Sequence, residues 1–232
     1  MDNPNDNRET ILALKKLAET LTSEGKEDLA IKALKIARGI SDRTTVGNLP
    51  PSNILQDLNN LLKDCGIKFA VIGGLAVCAR GQLRSTEDID VLVSKLPSSD
   101  KLRDSGYMAK FNFYKGKSST GTVLTLDHRS SAGYVEMLVA TDEAAKWASG
   151  TASNENVLKV LLPVVSAEAL VVLKLKAGVG NKKRQGKDFP DILSVLSKNK
   201  INFEEVVKFL NSEEKEVLKK LVSVLSKSIT HD

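Results

Sequence analysis

The segment 71–94, VIGGLAVCARGQLRSTEDIDVLVS, decides how this sequence folds. A short apolar run ends at Gly73 and Gly74, and a second apolar run contains Asp88 and Asp90. Carboxylates beside an apolar core are unfavourable unless a cation or hydrogen-bond donors meet them, so the two aspartates need an explanation. The segment predicts two buried strands, separated by a glycine turn and a short helical stretch.

The two aspartates are two positions apart in a predicted strand, so both side chains project to the same face, about 7 Å apart. Two ionised carboxylates at this distance repel each other unless a cation lies between them, and Mg²⁺ prefers such oxygen ligands. The alternative is that both carboxylates are solvated at the strand entrance or on an open edge. The glycine pair has two interpretations as well, either an approach for an anion to backbone N–H groups or a sterically tight turn.

The order of these features resembles the motif of the nucleotidyltransferase superfamily. Gly73 and Gly74 are followed by the thirteen residues from Leu75 to Glu87 and then by Asp-Ile-Asp. Residues 84–90, RSTEDID, also resemble the Arg-x-Thr-x-Asp-hydrophobic-Asp string of AbiE-type toxin nucleotidyltransferases. The resemblance covers residues 52–198. It implies transfer of a nucleoside monophosphate from an NTP to a hydroxyl acceptor, with two Mg²⁺ ions.

The family also implies a third acidic residue on a later strand. Glu136, in GYVEMLVA, is the preferred candidate, and many relatives have Asp there, so the longer Glu is a departure. Asp127, in TLDHR, is the rival, and we expect it to be solvated at a strand end. The predicted catalytic and metal-binding residues are therefore Asp88, Asp90 and Glu136.

AbiE-type relatives similarly carry a string LKLKA…R…KD…D in which a lysine contacts the nucleotide. The resemblance implies Lys174 for this role, with Lys187 and Asp188 as secondary positions. Arg80 and Arg84 could hold phosphate groups, although Arg84 has the alternative of pairing with Glu87 or Asp88. The predicted substrate-binding residues are Gly73, Gly74, Arg84, Thr86, Lys174 and Lys187.

The remaining pattern predicts an α+β fold with a mixed sheet of about five strands flanked by helices. Residues 8–41 read as a helical hairpin, and residues 41–52, with two adjacent prolines, read as a linker. We therefore expect an N-terminal helical extension at 1–48, a nucleotidyltransferase core at 49–165 and a C-terminal helical region at 166–232.

Several local features have specific predictions. Gly66 should end the helix that precedes it. Ser166 should cap the helix that follows it, with Gly178 just past the end of that helix. Residues 155–165, ENVLKVLLPVV, are read as a single edge segment. Residues 181–188, NKKRQGKD, are either an exposed loop between helices or a basic segment that binds an anionic partner.

Composition limits the function classes. The net charge is only +5, so the chain is not a dedicated nucleic-acid binder, and two histidines do not predict a zinc site. We expect His128 to be a turn residue. Two cysteines without metal spacing, and no long apolar run, predict a reduced cytoplasmic protein without a membrane segment.

The partners implied are an NTP and an acceptor, which is a tRNA 3′ end, a protein side chain or a small molecule. Two other classes remain open at this point. One is a non-catalytic nucleotide-binding or regulatory module of the same fold. The other is an interaction protein whose N-terminal helices bind a protein partner or a second copy.

Overall fold

The computed structural model describes residues 4–26, 29–30, 33, 50, 52–81, 86, 88–104, 106–118, 121–129 and 134–229. Within these residues the fold is a mixed α/β arrangement, with a seven-stranded mixed sheet and flanking helices. The helices are α1 Pro4–Ser23, α2 Ser52–Asp64, α3 Gly73–Arg80, α4 Ser99–Asp104, α5 Glu143–Gly150, α6 Ala167–Gly180, α7 Gln185–Lys198, α8 Phe203–Val207 and α9 Ser212–Ile229. The strands are β1 Phe69–Ile72, β2 Asp88–Val93, β3 Phe111–Ser118, β4 Gly121–His128, β5 Tyr134–Val139, β6 Ser153–Val157 and β7 Val160–Val164.

The chain divides into two compact units. The first comprises Met1–Lys68, Ser85–Ile89 and Ser94–Val139, and the second comprises Phe69–Arg84, Asp90–Val93 and Ala140–Asp232. Each unit has its own buried apolar side chains.

The first unit contains an antiparallel meander in the order β3-β4-β5. One face of the meander is apolar, and Phe111, Leu126 and Met137 on it are fully buried. Helix α2 is strongly amphipathic, and its leucines and isoleucine on the inner side are fully buried too. Gly66 follows α2 with φ +63°, and the Ile67 N–H donates to the Leu62 carbonyl at 2.8 Å, so the predicted helix end is confirmed.

His128 is not the turn residue that the sequence suggests. It ends β4 with its ring buried, edge-on to Phe111 at a centroid distance of 5.0 Å. Its Nε2 lies 3.2 Å from the Asp57 carboxylate on α2. Burial favours the neutral acid, but hydrogen bonds from Lys110 and His128 outweigh that effect and lower the pKa of Asp57. This polar contact therefore ties α2 to the meander.

The second unit contains the strand order β2-β1-β7-β6, with β1 antiparallel to β2 and parallel to β7. The predicted edge segment at 155–165 is part of a hairpin of β6 and β7, and this accounts for the higher strand count. Its turn is made by Leu158 and Lys159, at φ +50° and +68°. Such turns usually contain Asn or Gly, so a Leu-Lys pair gives no sequence signal for them.

Helix α6 begins where the sequence predicts, because the Ser166 hydroxyl accepts a hydrogen bond from the Ala169 N–H at 3.1 Å. Gly178 lies inside α6 and not past its end. A Cβ on Gly178 would lie 2.7 Å from Cε1 of Phe189 on α7, so the glycine permits close helix packing. The predicted loop at 181–188 is a 3₁₀ turn, Lys182–Arg184, followed directly by the first turn of α7.

Some predictions fall outside the described residues. Outside them lie Arg84 and most of the linker at 41–52. Most of the second helix of the N-terminal hairpin lies outside them too, and its described residues, 29–30 and 33, are helical. The division at 48 and 165 stays a prediction. None of the helices within the described ranges has the length and apolar character that crossing a membrane requires.

Candidate active site

The glycine turn and the acidic strand meet in the second unit. Ile72 at the end of β1 pairs with Asp90 of β2, and Gly73 follows with φ +65°. A Cβ on Gly73 would lie 2.0 Å from Oδ2 of Asp90, so no side chain fits there while the carboxylate keeps its position. Both the backbone conformation and this contact require glycine at position 73.

Gly73 and Gly74 form the first residues of helix α3. The residue before them, Ile72, provides no side-chain cap for the helix. The first-turn N–H groups lie at the positive end of the helix dipole, at the turn where the Asp90 carboxylate packs.

Asp88 and Thr86 belong to the first unit, and both side chains are buried. The Thr86 hydroxyl donates to the backbone carbonyl of Asp88 at 3.3 Å, so it braces the start of β2. Asp88 and Asp90 occupy alternate positions of β2, and the pleat of the strand directs their side chains to one face.

Glu136 lies in the middle of β5, opposite Thr125 of β4, and is half-buried. Its neighbours Val135 and Met137 are fully buried on the other face of the strand. Alternation along β5 thus places Glu136 on the face opposite to Val135 and Met137.

The expectation that Asp127 is solvated is wrong. Its side chain is 1% exposed and its Oδ1 lies 2.6 Å from Nζ of Lys15 on α1. Burial raises the pKa of Asp127, and the charge of Lys15 reduces the increase. A helix that the sequence places outside the core supplies the partner of this carboxylate, and the local sequence around Asp127 could not indicate it.

Among the described residues, no three His, Cys, Asp or Glu side chains are gathered in a way that would hold a metal ion. The carboxylates of β2 are suitable donors for Mg²⁺ in kind. The three-residue metal centre that the resemblance implies is nevertheless not formed, and the assignment of Asp88, Asp90 and Glu136 as ligands stays a prediction.

Lys174 lies in the middle of α6 and is buried. Its Nζ is 2.9 Å from Oδ1 of Asp188 and 2.7 Å from Oδ2 of Asp191, both on α7. Burial favours the neutral form of Asp188, but hydrogen bonds from Arg184 and Lys174 outweigh that effect and lower its pKa. The sequence reasoning missed Asp191, although two acids at i and i+3 on α7 share a helix face and could have indicated a cationic neighbour.

The other predicted phosphate contacts are placed differently. Lys187 is exposed on α7. Arg80 is engaged within the second unit: its Nη1 lies 2.8 Å from Glu155 Oε1, and its Nε donates to the Val165 carbonyl at 3.1 Å. Arg80 therefore ties α3 to the β6–β7 hairpin.

The chain is similar in structure to several nucleotidyltransferase-like proteins. An antigenic nucleotidyltransferase-like protein from Paracoccidioides brasiliensis has 19% identity and a TM-score of 0.50, over 77% of this chain and 89% of that chain. The antibiotic-resistance factor ANT(2″)-Ia has 15% identity and a TM-score of 0.45, over 77% and 94%. A lincosamide antibiotic adenylyltransferase has 16% identity and a TM-score of 0.44, over 64% and 99%.

The first of these likenesses shows a nucleotidyltransferase-like fold for this chain. No protein-family model matches the sequence, and no curated protein is significantly similar to it.

Proposed function

We propose that this protein is a magnesium-dependent nucleotidyltransferase that moves a nucleoside monophosphate from an NTP to a hydroxyl acceptor. The observation that carries the proposal is the contact between Gly73 and Asp90. The sequence separates these residues widely, yet the fold packs the carboxylate into the space where any other residue at 73 would have its side chain. A structural glycine turn alone does not require an acidic neighbour.

In the proposed reaction the acceptor oxygen attacks the α-phosphorus of the NTP. The bond from that phosphorus to the oxygen shared with the β-phosphate breaks, and pyrophosphate leaves. Mg²⁺, held by Asp88 and Asp90 with phosphate oxygens and water as its other ligands, would neutralise the phosphate charge. Two ions are expected, and Glu136 would be a ligand of one.

The chain's own groups have three roles in this scheme. The first-turn N–H groups at Gly73 and Gly74 donate hydrogen bonds to the anionic triphosphate at a helix start. The Glu136 carboxylate takes the proton of the acceptor hydroxyl as general base. Lys174 would contact the nucleotide only by leaving Asp188 and Asp191, so this contact requires a local rearrangement of α6 and α7. The other proposed substrate contacts are Arg84, Thr86 and Lys187.

The AbiE-type resemblance, which rests on residues 84–90, favours a tRNA 3′ end as the acceptor. The exposed basic residues Lys182, Lys183 and Lys187 are consistent with an anionic partner. A small hydroxylated molecule or a protein side chain is the other acceptor class.

The test is incubation with each α-labelled NTP, Mg²⁺ and total tRNA, with Asp88→Asn and Asp90→Asn variants as controls. We expect label on the RNA with the wild-type chain and a loss of at least about a hundredfold in each variant, because phosphate charge is no longer neutralised. Label transfer that persists when Asp88 and Asp90 are both replaced by Asn would refute the assigned site.

A second candidate function is a nucleotide-binding module without catalysis. It is favoured by the lack of a three-residue metal group among the described side chains. In that case the protein binds NTP in the presence of Mg²⁺, and no acceptor becomes labelled.

A further inference from the structure

Helix α1 covers one face of the antiparallel meander β3-β4-β5. Ala18 of the helix is fully buried, and it shares a cluster with Tyr114 of β3 and Tyr134 of β5. Ala30 and Ala33 complete this cluster. Leu21 of α1 is partly buried and packs against the same cluster, whereas Leu17 is 47% exposed.

Polar pairs supply the rest of the contact. Lys15 Nζ lies 2.6 Å from Oδ1 of Asp127 and 5.1 Å from the centroid of the Tyr134 ring. One turn further along α1, Glu19 accepts a hydrogen bond from Nδ2 of Asn112 at 2.7 Å. Because Asp127 is buried beneath the helix, removing the lysine charge would leave a buried carboxylate with a weaker partner set.

The covered face also carries Glu136. Residues Tyr134 and Glu136 are two apart on β5, so their side chains lie on the same face about 7 Å apart. Thr125 of β4 is opposite Glu136 on one side and opposite Tyr114 of β3 on the other. Glu136 therefore lies in the same row across the three strands as Tyr114, which belongs to the cluster beneath α1.

We propose that α1 is a cover over the sheet face that bears Glu136, held closed by the Lys15–Asp127 ion pair and opened when an acceptor binds. The value of the cover for catalysis rests on the proposed function, in which Glu136 receives the acceptor's proton. An acceptor hydroxyl that reaches Glu136 has to share this face with α1. The ion pair then sets how readily the acceptor enters, while NTP binding at the glycine turn is independent of it.

The first experiment does not require activity. The full chain is treated with a carbodiimide and glycine ethyl ester, and modification of Glu136 is measured by mass spectrometry in wild type, Lys15→Met and Lys16→Met. Lys16 is the matched control because it is the exposed neighbour on the same helix turn. We expect a several-fold faster modification of Glu136 in Lys15→Met only, and a return to the wild-type rate in Lys15→Arg, which keeps the charge.

Equal modification of Glu136 in all four chains would overturn the cover. Near-ultraviolet circular dichroism establishes that each variant is folded. If Lys15→Met does not fold, Glu19→Gln, which weakens the bond to Asn112, takes its place and is expected to accelerate modification by a smaller factor.

The second experiment uses label transfer. In a chain that transfers nucleotide, Lys15→Met should lower KM for the acceptor several-fold and leave KM for the NTP unchanged. An unchanged acceptor KM would contradict the gating role. If the wild-type chain labels no acceptor at all, the proposed function fails, whereas the modification rates still decide whether α1 covers Glu136.

Discussion

Each of the two compact units buries a lysine against aspartate, but the two pairs are built differently. Lys15 in the first unit has one carboxylate at 2.6 Å, and its side chain is 13% exposed. Lys174 in the second unit has two, at 2.9 and 2.7 Å, and is 6% exposed. Burial wins at Asp127, whose pKa is raised, while the hydrogen bonds from Arg184 and Lys174 win at Asp188, whose pKa is lowered.

The two directions of pKa shift follow the number of cationic donors around each buried carboxylate. Asp188 receives hydrogen bonds from two cationic side chains, which compensate for the lost hydration. Asp127 has a single cationic partner close to it, Lys15 of α1, and its other donor, Asn112, is uncharged. The second unit therefore contains a firm structural tie, and the first contains a contact that can be released.

The largest expected effect comes from removing the lysine of the firm tie. Lys174→Met should destabilise the fold by about 3–5 kcal/mol, because it leaves two buried carboxylates without their shared cation. Lys15→Met should cost only about 1–3 kcal/mol, since a single carboxylate is affected. Urea-induced unfolding of both variants without nucleotide measures the difference. A greater loss of unfolding free energy in Lys15→Met than in Lys174→Met would show that the ion pair of the first unit is the firmer one.

A smaller effect tests whether α6 and α7 are as closely packed as the lysine tie suggests. Gly178→Ala should destabilise by about 1–3 kcal/mol, because the new methyl group would lie 2.7 Å from the Phe189 ring and the ring has to move. Gly180→Ala on the same helix is the control, with nothing within 4 Å of the added Cβ. Its stability should stay within about 1 kcal/mol of wild type, because alanine favours a helix. Thermal unfolding of the two variants gives the answer, and equal behaviour would mean that the helices are looser than described.

The smallest effect is in the pH dependence of stability, where the two carboxylates should act in opposite directions. Asp188 has a lowered pKa, so its contribution is present above the ordinary aspartate pKa of 3.8 and is lost as the pH falls through the folded-state value. Asp127 has a raised pKa, so the folded state binds its proton more readily and stability falls as the pH rises from 3.8 through the folded-state value. Carboxyl carbon NMR titration should find Asp127 above and Asp188 below 3.8. If the pKa values of both carboxyl groups lay on the same side of 3.8, the explanation by the number of cationic donors would be wrong.

The sequence predicted the parts of the fold that depend on local pattern. The apolar run before Gly73, the alternation around Asp88 and the cap at Ser166 each place an element where the structure has it. The hairpin around Leu158 was missed, because its left-handed turn residues are not the glycine or asparagine that usually indicate such a turn.

The candidate site was predictable only in part, for a related reason. Gly73 and Asp90 come together through pairing of β1 with β2, and the sequence predicted the two strands but not their pairing. The partner of Asp127 comes from a helix far away in the sequence, and no spacing within a short window indicates it. For Lys174 the acids at i and i+3 on the next helix gave a signal that was missed. The metal arrangement of Asp88, Asp90 and Glu136 remains a prediction from the resemblance.

The contact at Gly73 also has a consequence for how such a chain can change over time. Since the carboxylate of Asp90 fills the place of a side chain at position 73, neither position can be altered freely while the other is kept. A descendant that gives up the acid could accept a larger residue at the turn, although the left-handed backbone there would still resist it. Loss of the proposed reaction would then leave a change at both positions of this one segment.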